Sequence, residues 1–246
     1  MKKPAKKTVK KKTKTTAKPA TKKQTGHGAI LTIDIGGSRV KVMTDKEYIR
    51  RAFMSGPDLT PEAMVKQVKA LTTDWSYDRV SVGYPGPVGA NRPLREPHNL
   101  GTGWAGFDFA KAFGLPTRVI NDALMQALGH YVGGRMLFLG LGTGLGSAMI
   151  IDDVFVPMEL AHLPYRKGRT FEDYVGARGL KRMGRQRWKR WVDDVISRLI
   201  AALGPDYVVL GGGNASKIEP LPEKTKLGRN ADAFRGGFRL WERRFL

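Results

Sequence analysis

From residue 29 onward, apolar and polar positions fall into short blocks separated by turn residues. Residues 29–35 read as a buried strand, 39–43 as its hairpin partner across Gly36-Gly37, and 48–53 as a third strand. Residues 61–72 place Met64, Val65, Val68 and Leu71 at helical spacing behind a Thr60 N-cap. Another strand over 79–83 then runs into the rigid turn Tyr84-Pro85-Gly86-Pro87. Residues 107–113 predict a short helix, 117–120 a strand, and 123–131 a helix that follows Asn121-Asp122. Strands over 136–141 and 147–151 flank a second glycine turn, so the opening hairpin design recurs. Residues 171–183 and 187–203 read as helices, 207–210 as a strand ending in Gly211-Gly212-Gly213, and 231–245 as a helix with one apolar face.

Strand–turn–strand followed by alternating helices and strands, used twice, predicts two α/β lobes with a cleft between them. The expected boundaries are 29–120 for the N-terminal lobe and 121–246 for the C-terminal lobe, the last helix closing back over the body. Residues 1–28 fall outside this pattern. They carry eleven lysines, no acid and almost no large apolar side chain, the composition of a disordered basic tail with weak affinity for polyanions or nucleic acid. The chain has a net charge of +21, and beyond the tail it still has 32 basic against 22 acidic residues. Without cysteine there is no disulfide, thiol nucleophile or thiolate zinc site. No apolar run approaches the roughly 20 residues that cross a bilayer, and no apolar segment follows the basic N-terminus. A cytoplasmic protein is therefore expected, with a homodimer left open.

Three glycine turns, at Gly36-Gly37, Gly142-Thr143-Gly144 and Gly211-Gly212-Gly213-Asn214, each follow a strand and offer backbone amides to phosphate. Asp34, just before the first, suits Mg²⁺ beside a transferred phosphate or, alternatively, the cap of a tight turn. Asp122, where a strand meets a helix, is placed to take a hydroxyl proton beside Asn121, which would orient a sugar; the pair also suits a helix N-cap. Glu159, His162 and Glu172 form a polar cluster among apolar neighbours and suit a polyol; their spacing matches no zinc motif. Residues 178–190 hold seven basic residues around Trp188, which suits a solvated helix face, a nucleic-acid surface or a track for a polyanion.

Taken in order, Ile33-Asp34-Ile35-Gly36-Gly37-Ser38, Gly83-Tyr84-Pro85-Gly86, Val119-Ile120-Asn121-Asp122-Ala123, Leu141-Gly142-Thr143-Gly144-Leu145-Gly146-Ser147, Glu159-Leu160-Ala161-His162-Leu163 and Val209-Leu210-Gly211-Gly212-Gly213-Asn214 resemble the motifs of ROK-family sugar kinases. Glu172-Asp173-Tyr174-Val175-Gly176 and the stretch from Asn230 to Glu242 are similar to the polyphosphate-dependent glucokinase branch. The resemblance implies a two-lobed actin-like ATPase (ribonuclease H-like) fold and a Mg²⁺-dependent kinase that moves a phosphoryl group from polyphosphate, ATP or both to the 6-hydroxyl of glucose. It implies Asp122 as the general base, with Asn99, Asn121, Glu159, His162 and Glu172 on the sugar. Asp34, Gly36, Gly37 and Lys41 would face the transferred phosphate, Gly142, Thr143 and Gly144 would cradle the donor, and Gly211, Gly212, Gly213 and Asn214 would lie near a nucleotide. Two departures stand out. The cysteine-rich zinc segment of many members is missing between His162 and Glu172, and Ala161 replaces the usual glycine before the histidine. The alternatives are an ATP-only kinase for another hexose and a sugar sensor associated with nucleic acid, although residues 1–28 cannot form the helix-turn-helix of the family's repressors.

Overall fold

The computed structural model describes residue 1, residues 28–229 and residues 232–245. Except for Met1 and Gly28, the expected tail lies outside the described residues. The first part of the chain forms β1 (Ile30–Ile35), β2 (Arg39–Thr44), β3 (Arg51–Met54), α1 (Pro61–Leu71) and β4 (Arg79–Tyr84). A small hairpin of β5 (Val88–Gly89) and β6 (Arg92–Pro93) follows, then α2 (Phe109–Phe113), β7 (Thr117–Asn121) and α3 (Asp122–His130). The second part comprises β8 (Arg135–Leu141), β9 (Leu145–Ile151), β10 (Val154–Met158), α4 (Phe171–Val175), α5 (Ala177–Leu203), β11 (Tyr207–Gly211), β12 (Thr225–Leu227) and α6 (Asp232–Arg239).

The strands form two five-stranded sheets, ordered β3-β2-β1-β4-β7 and β10-β9-β8-β11-β12. In each, the two pairings on the hairpin side are antiparallel and the two on the other side are parallel. The duplication suggested by the two hairpins is therefore a duplication of sheet topology. It also aligns the carboxyl ends of β1, β4 and β7, where Asp34 pairs with Gly83 and Tyr84 with Asn121. Gly140 and Gly211 are likewise in register at the end of β8 and β11. One core packs Ile33, Ile35, Val82 and Trp104 around the first sheet; a second packs Leu139, Leu210, Trp188 and Val195 between the second sheet and α5. The parallel strands read as unbroken apolar runs because helices cover both of their faces.

Several boundaries differ from the sequence reading. The third strand starts at Arg51 rather than 48 because Tyr48 has φ 53°, outside the extended region. The expected helix over 171–183 is divided at Gly176, which is extended, and α5 then runs on to Leu203 through a kink at Gly184 (φ 73°, ψ 161°). The closing helix is shorter than expected, and a separate 3₁₀ turn covers Arg243–Phe245. The strands β10 and β12 and the β5–β6 hairpin leave no pattern in the sequence; each is an edge or an isolated pair with few residues to set a periodicity.

α6 lies across β1 and β4 and against α3. Small residues make this approach feasible, since a methyl group on Gly129 would overlap the Asp232 carbonyl and one on Gly236 the Met125 carbonyl. Polar contacts then lock the segment in place. Ser81 Oγ donates to the Gly237 carbonyl at 2.7 Å and accepts from Trp241 Nε1 at 2.9 Å. The buried Arg239 guanidinium donates to the Leu128 and Tyr131 carbonyls, capping the C-terminal end of α3.

Candidate functional site

A cavity of about 910 Å³ opens between the two sheets. On one side stands the first glycine turn. Gly36 N–H closes it on the Arg39 carbonyl at 3.1 Å, and Ser55 braces it from outside through Oγ to the Gly36 carbonyl (2.9 Å) and N–H to the Ser38 carbonyl (3.1 Å). On the other side the β8–β9 turn folds over itself, with Gly142 N–H shared between the Gly140 and Gly144 carbonyls at 3.1 Å. The amides of Gly36 and Gly142 are thus used internally. Those of Gly37, Ser38, Thr143 and Gly144 have no protein acceptor among the described residues, and all four residues line the cavity. Unpaired amides on two facing turns form a site for a highly charged anion.

Asp122 is the first residue of α3 and also lines the cavity. Its Oδ1 accepts from Ala123 N–H at 2.8 Å. Burial, followed by the negative charge of Asp34, pushes the Asp122 carboxyl up to about 7. A carboxyl poised there suits proton abstraction near neutral pH. Asn121 stands behind it as the N-cap of α3: Oδ1 accepts from Leu124 N–H at 3.1 Å, and Nδ2 donates to the Gly86 carbonyl at 3.2 Å. Its amide pins the Pro85-Gly86 turn to the helix that carries Asp122, and Asn121 does not line the cavity.

Asn99, Glu159, His162 and Glu172 do meet there. Glu159 precedes the 3₁₀ turn Leu160–His162 and is held from both sides by Ser147, whose Oγ donates to the Met158 carbonyl (2.9 Å) and accepts from Leu160 N–H (3.1 Å). Glu172 sits in the first turn of α4, which starts with a capping box between Thr170 and Asp173. Its carboxylate accepts from Leu145 N–H at 3.3 Å and pairs with Arg178 at 3.3 Å. It lies so close to Gly144 that a methyl group on that glycine would overlap Oε2, so glycine serves a close approach there rather than a left-handed turn.

Asp34, Gly36, Lys41, Gly211, Gly213 and Asn214 stay outside the lining. Asp34 is nearly buried and bonded at 2.8 Å to Lys41, its cross-strand partner on β2, and it reaches Asp122 through its charge. The third glycine turn forms the floor of the second. Asn214 N–H donates to the Leu141 carbonyl at 2.9 Å and Nδ2 to the Gly142 carbonyl at 3.3 Å, while Gly212, at φ 81°, lines the cavity. A Cβ on Gly212 would lie 2.6 Å from the Leu141 backbone, so this position requires glycine for both reasons.

Sequence reasoning missed Ser38, Pro85, His98, Gln126 and Arg178 in the lining. Gln126, four residues after Asp122 on one helix, and His98, beside Asn99, were within reach of a spacing argument. Arg178 reads in the sequence as part of the basic segment rather than of the site. Among the described residues no three His, Asp or Glu side chains cluster to hold a metal by themselves, and no helix is long and apolar enough to cross a membrane.

The sequence model of the ROK family matches residues 30–156. Polyphosphate glucokinase of Mycobacterium tuberculosis is 28% identical over 219 residues, covering 80% of this chain and 77% of that protein. The crystal structure of an inorganic polyphosphate/ATP-glucomannokinase from Arthrobacter sp. strain KM superposes with a TM-score of 0.72 at 25% identity, over 86% of this chain and 97% of its own. A glucokinase from Streptomyces griseus, crystallised with glucose and AMPPNP, gives a TM-score of 0.69 at 18% identity over 86% and 98% of the two chains. The fold is the two-lobed actin-like ATPase fold that the ordered motifs imply.

Proposed function

This chain belongs to the ROK family, and from that premise we propose that it is a glucokinase, transferring a phosphoryl group from polyphosphate or ATP to the 6-hydroxyl of glucose in the cytoplasm. One observation carries the reading. A carboxyl raised to about 7 faces a single cavity that has polar side chains on its acceptor side and two turns with unpaired amides on its donor side. The related polyphosphate glucokinase and polyphosphate/ATP-glucomannokinase support the choice of sugar and donor.

Asp122 takes the hydroxyl proton as the sugar oxygen attacks phosphorus, and Asn99, Glu159, His162 and Glu172 hold the ring. The amides of Gly37, Ser38, Thr143 and Gly144 bind the phosphoryl oxygens as charge spreads over them. Asn121 keeps α3 in register with the Pro85-Gly86 turn and so positions Asp122. Asp34 suits Mg²⁺, an ion commonly held by one or two carboxylates together with substrate phosphates and water: it offers one nearly buried carboxylate, whose charge acts on Asp122. Mg²⁺ there would offset the charge on the transferred group. Lys41 Nζ donates to one oxygen of the Asp34 carboxylate at 2.8 Å.

The direct test is Mg²⁺-dependent formation of glucose 6-phosphate by the purified protein, with ATP and long-chain polyphosphate supplied separately at one ionic strength. Turnover with at least one donor is expected; none with either, while glucose still binds, would replace the kinase with a sugar sensor. Ser147→Ala tests the acceptor side. It removes both hydrogen bonds that flank Glu159 and is expected to raise KM for glucose about tenfold while costing about 1–2 kcal/mol of stability. An unchanged KM would free Glu159 from any role on the sugar.

A further inference from the structure

The basic segment on α5 begins inside the site. Ala177 N–H donates to the Gly142 and Thr143 carbonyls at 3.1 Å, so the helix starts on the second glycine turn, and the next residue, Arg178, lines the cavity. Its side chain is 72% exposed, and its guanidinium lies 3.3 Å from Glu172 and 3.7 Å from Asp173. Lys181 and Arg182 follow at three and four residues, on the same side of a helix that rises about 1.5 Å per residue, and Arg185 comes directly after the kink at Gly184. All are exposed, and no acid falls between Arg178 and Arg190. Beyond the kink at Gly184, Arg185 Nε donates to the Lys217 carbonyl at 3.0 Å, and Lys217 Nζ in turn donates to Asn214 Oδ1 at 2.7 Å. The ridge therefore leaves the cavity mouth and runs beside the third glycine turn.

Its chemistry favours a plain polyanion over a nucleic acid. Trp188, the aromatic residue amid the basic segment, is fully buried and donates through Nε1 to the Val175 carbonyl at 2.9 Å, so it presents no face for stacking a base. We propose that the ridge of Arg178, Lys181, Arg182 and Arg185 is the docking rail for a linear polyphosphate donor. The inference rests on the kinase reading of the adjoining cavity and assigns residues to the donor outside it. The terminal phosphate enters between the two glycine turns and the following ones lie along the ridge. As the bond from terminal phosphorus to the bridging oxygen breaks and the bond to the sugar oxygen forms, the hydroxyl proton goes to Asp122. The remaining chain, one phosphate shorter, keeps the bridging oxygen and its electron pair.

The test compares end-labelled long-chain polyphosphate with tripolyphosphate, by fluorescence anisotropy and by kcat/KM, for the full chain and for the Lys181→Gln, Arg185→Gln double variant. Long-chain affinity is expected to fall at least tenfold and the long-to-short ratio of kcat/KM to fall in parallel. If the double variant melts lower than the parent protein, Lys181→Gln alone carries the test, with about a threefold loss. Unchanged long-chain affinity, no polyphosphate binding by the parent protein, or equal competition by duplex DNA at the same phosphate concentration would each overturn the rail. Ridge-dependent binding without glucose turnover from any donor would sustain the rail and sink the kinase reading instead.

Discussion

Asp122→Asn is expected to lower turnover by about 10²–10⁴, the usual share of a general base, while glucose still binds within about threefold of the parent protein. Asparagine keeps the shape of the side chain and can still accept from Ala123 N–H, so the loss reports the proton. In the parent protein, kcat/KM should rise with pH and level off above about pH 7, as the carboxyl raised by burial and by Asp34 becomes ionised. Stability should move the opposite way. With a folded pKa of about 7 against an ordinary value of 3.8, folding favours the protonated form, so the contribution of Asp122 is fully present below pH 4 and lost as pH rises through 7. A tenfold change in the proton affinity of a carboxyl corresponds to about 1.4 kcal/mol. At pH 8 the asparagine variant, free of a buried charge, is expected to gain about 2 kcal/mol, or about 5 °C in Tm. Calorimetry at pH 5 and pH 8 checks the sign: a Tm gain that does not grow with pH would remove the electrostatic account, and near-normal turnover would remove Asp122 as the base.

The second large effect is structural. Gly236→Ala is expected to cost about 3–4 kcal/mol and about 10 °C in Tm, because the new methyl group meets the Met125 carbonyl, a backbone atom that cannot rotate away. The damage should reach the chemistry as well. Met125 lies one turn after Asp122 on α3, and a shift of about 1 Å in a reacting group costs roughly 10²-fold in rate. Activity measured well below the melting point should therefore fall about 10–100-fold. A variant that melts within 1 °C of the parent protein would mean that α6 and α3 do not pack as closely as the structure places them.

The candidate site was legible where local chemistry is tied to a sequence position. Asp122, Glu159, His162 and the glycine turns announce themselves because a strand end, a polar residue in an apolar run and a pair of glycines are local features. Asn121 shows the limit of that reasoning. Its residue type suited both a sugar contact and a helix cap, and only the packing of Pro85-Gly86 against α3 commits both ends of its amide to structure. Gly36 and Gly142 show the same for the backbone: membership of a glycine turn does not say which amide the turn itself consumes, a matter of its three-dimensional closure. Arg178 is visible in the sequence only as one charge in a basic run, since it lies six positions after Glu172 and the break at Gly176 falls between the two that the structure pairs.

The repeated strand–turn–strand design, the Thr60 cap, the order of the glycine turns and the carboxyl that stands where a strand meets a helix can be read from the chain alone, because each depends on periodicity, turn chemistry or a single side chain. Only folding sets which amides remain free for an anion, how burial and then the charge of Asp34 raise the Asp122 carboxyl, and where the basic face of α5 begins. Those properties arise from groups distant along the chain that share one low-dielectric space, and neither desolvation nor the direction of a helix is encoded at any one position.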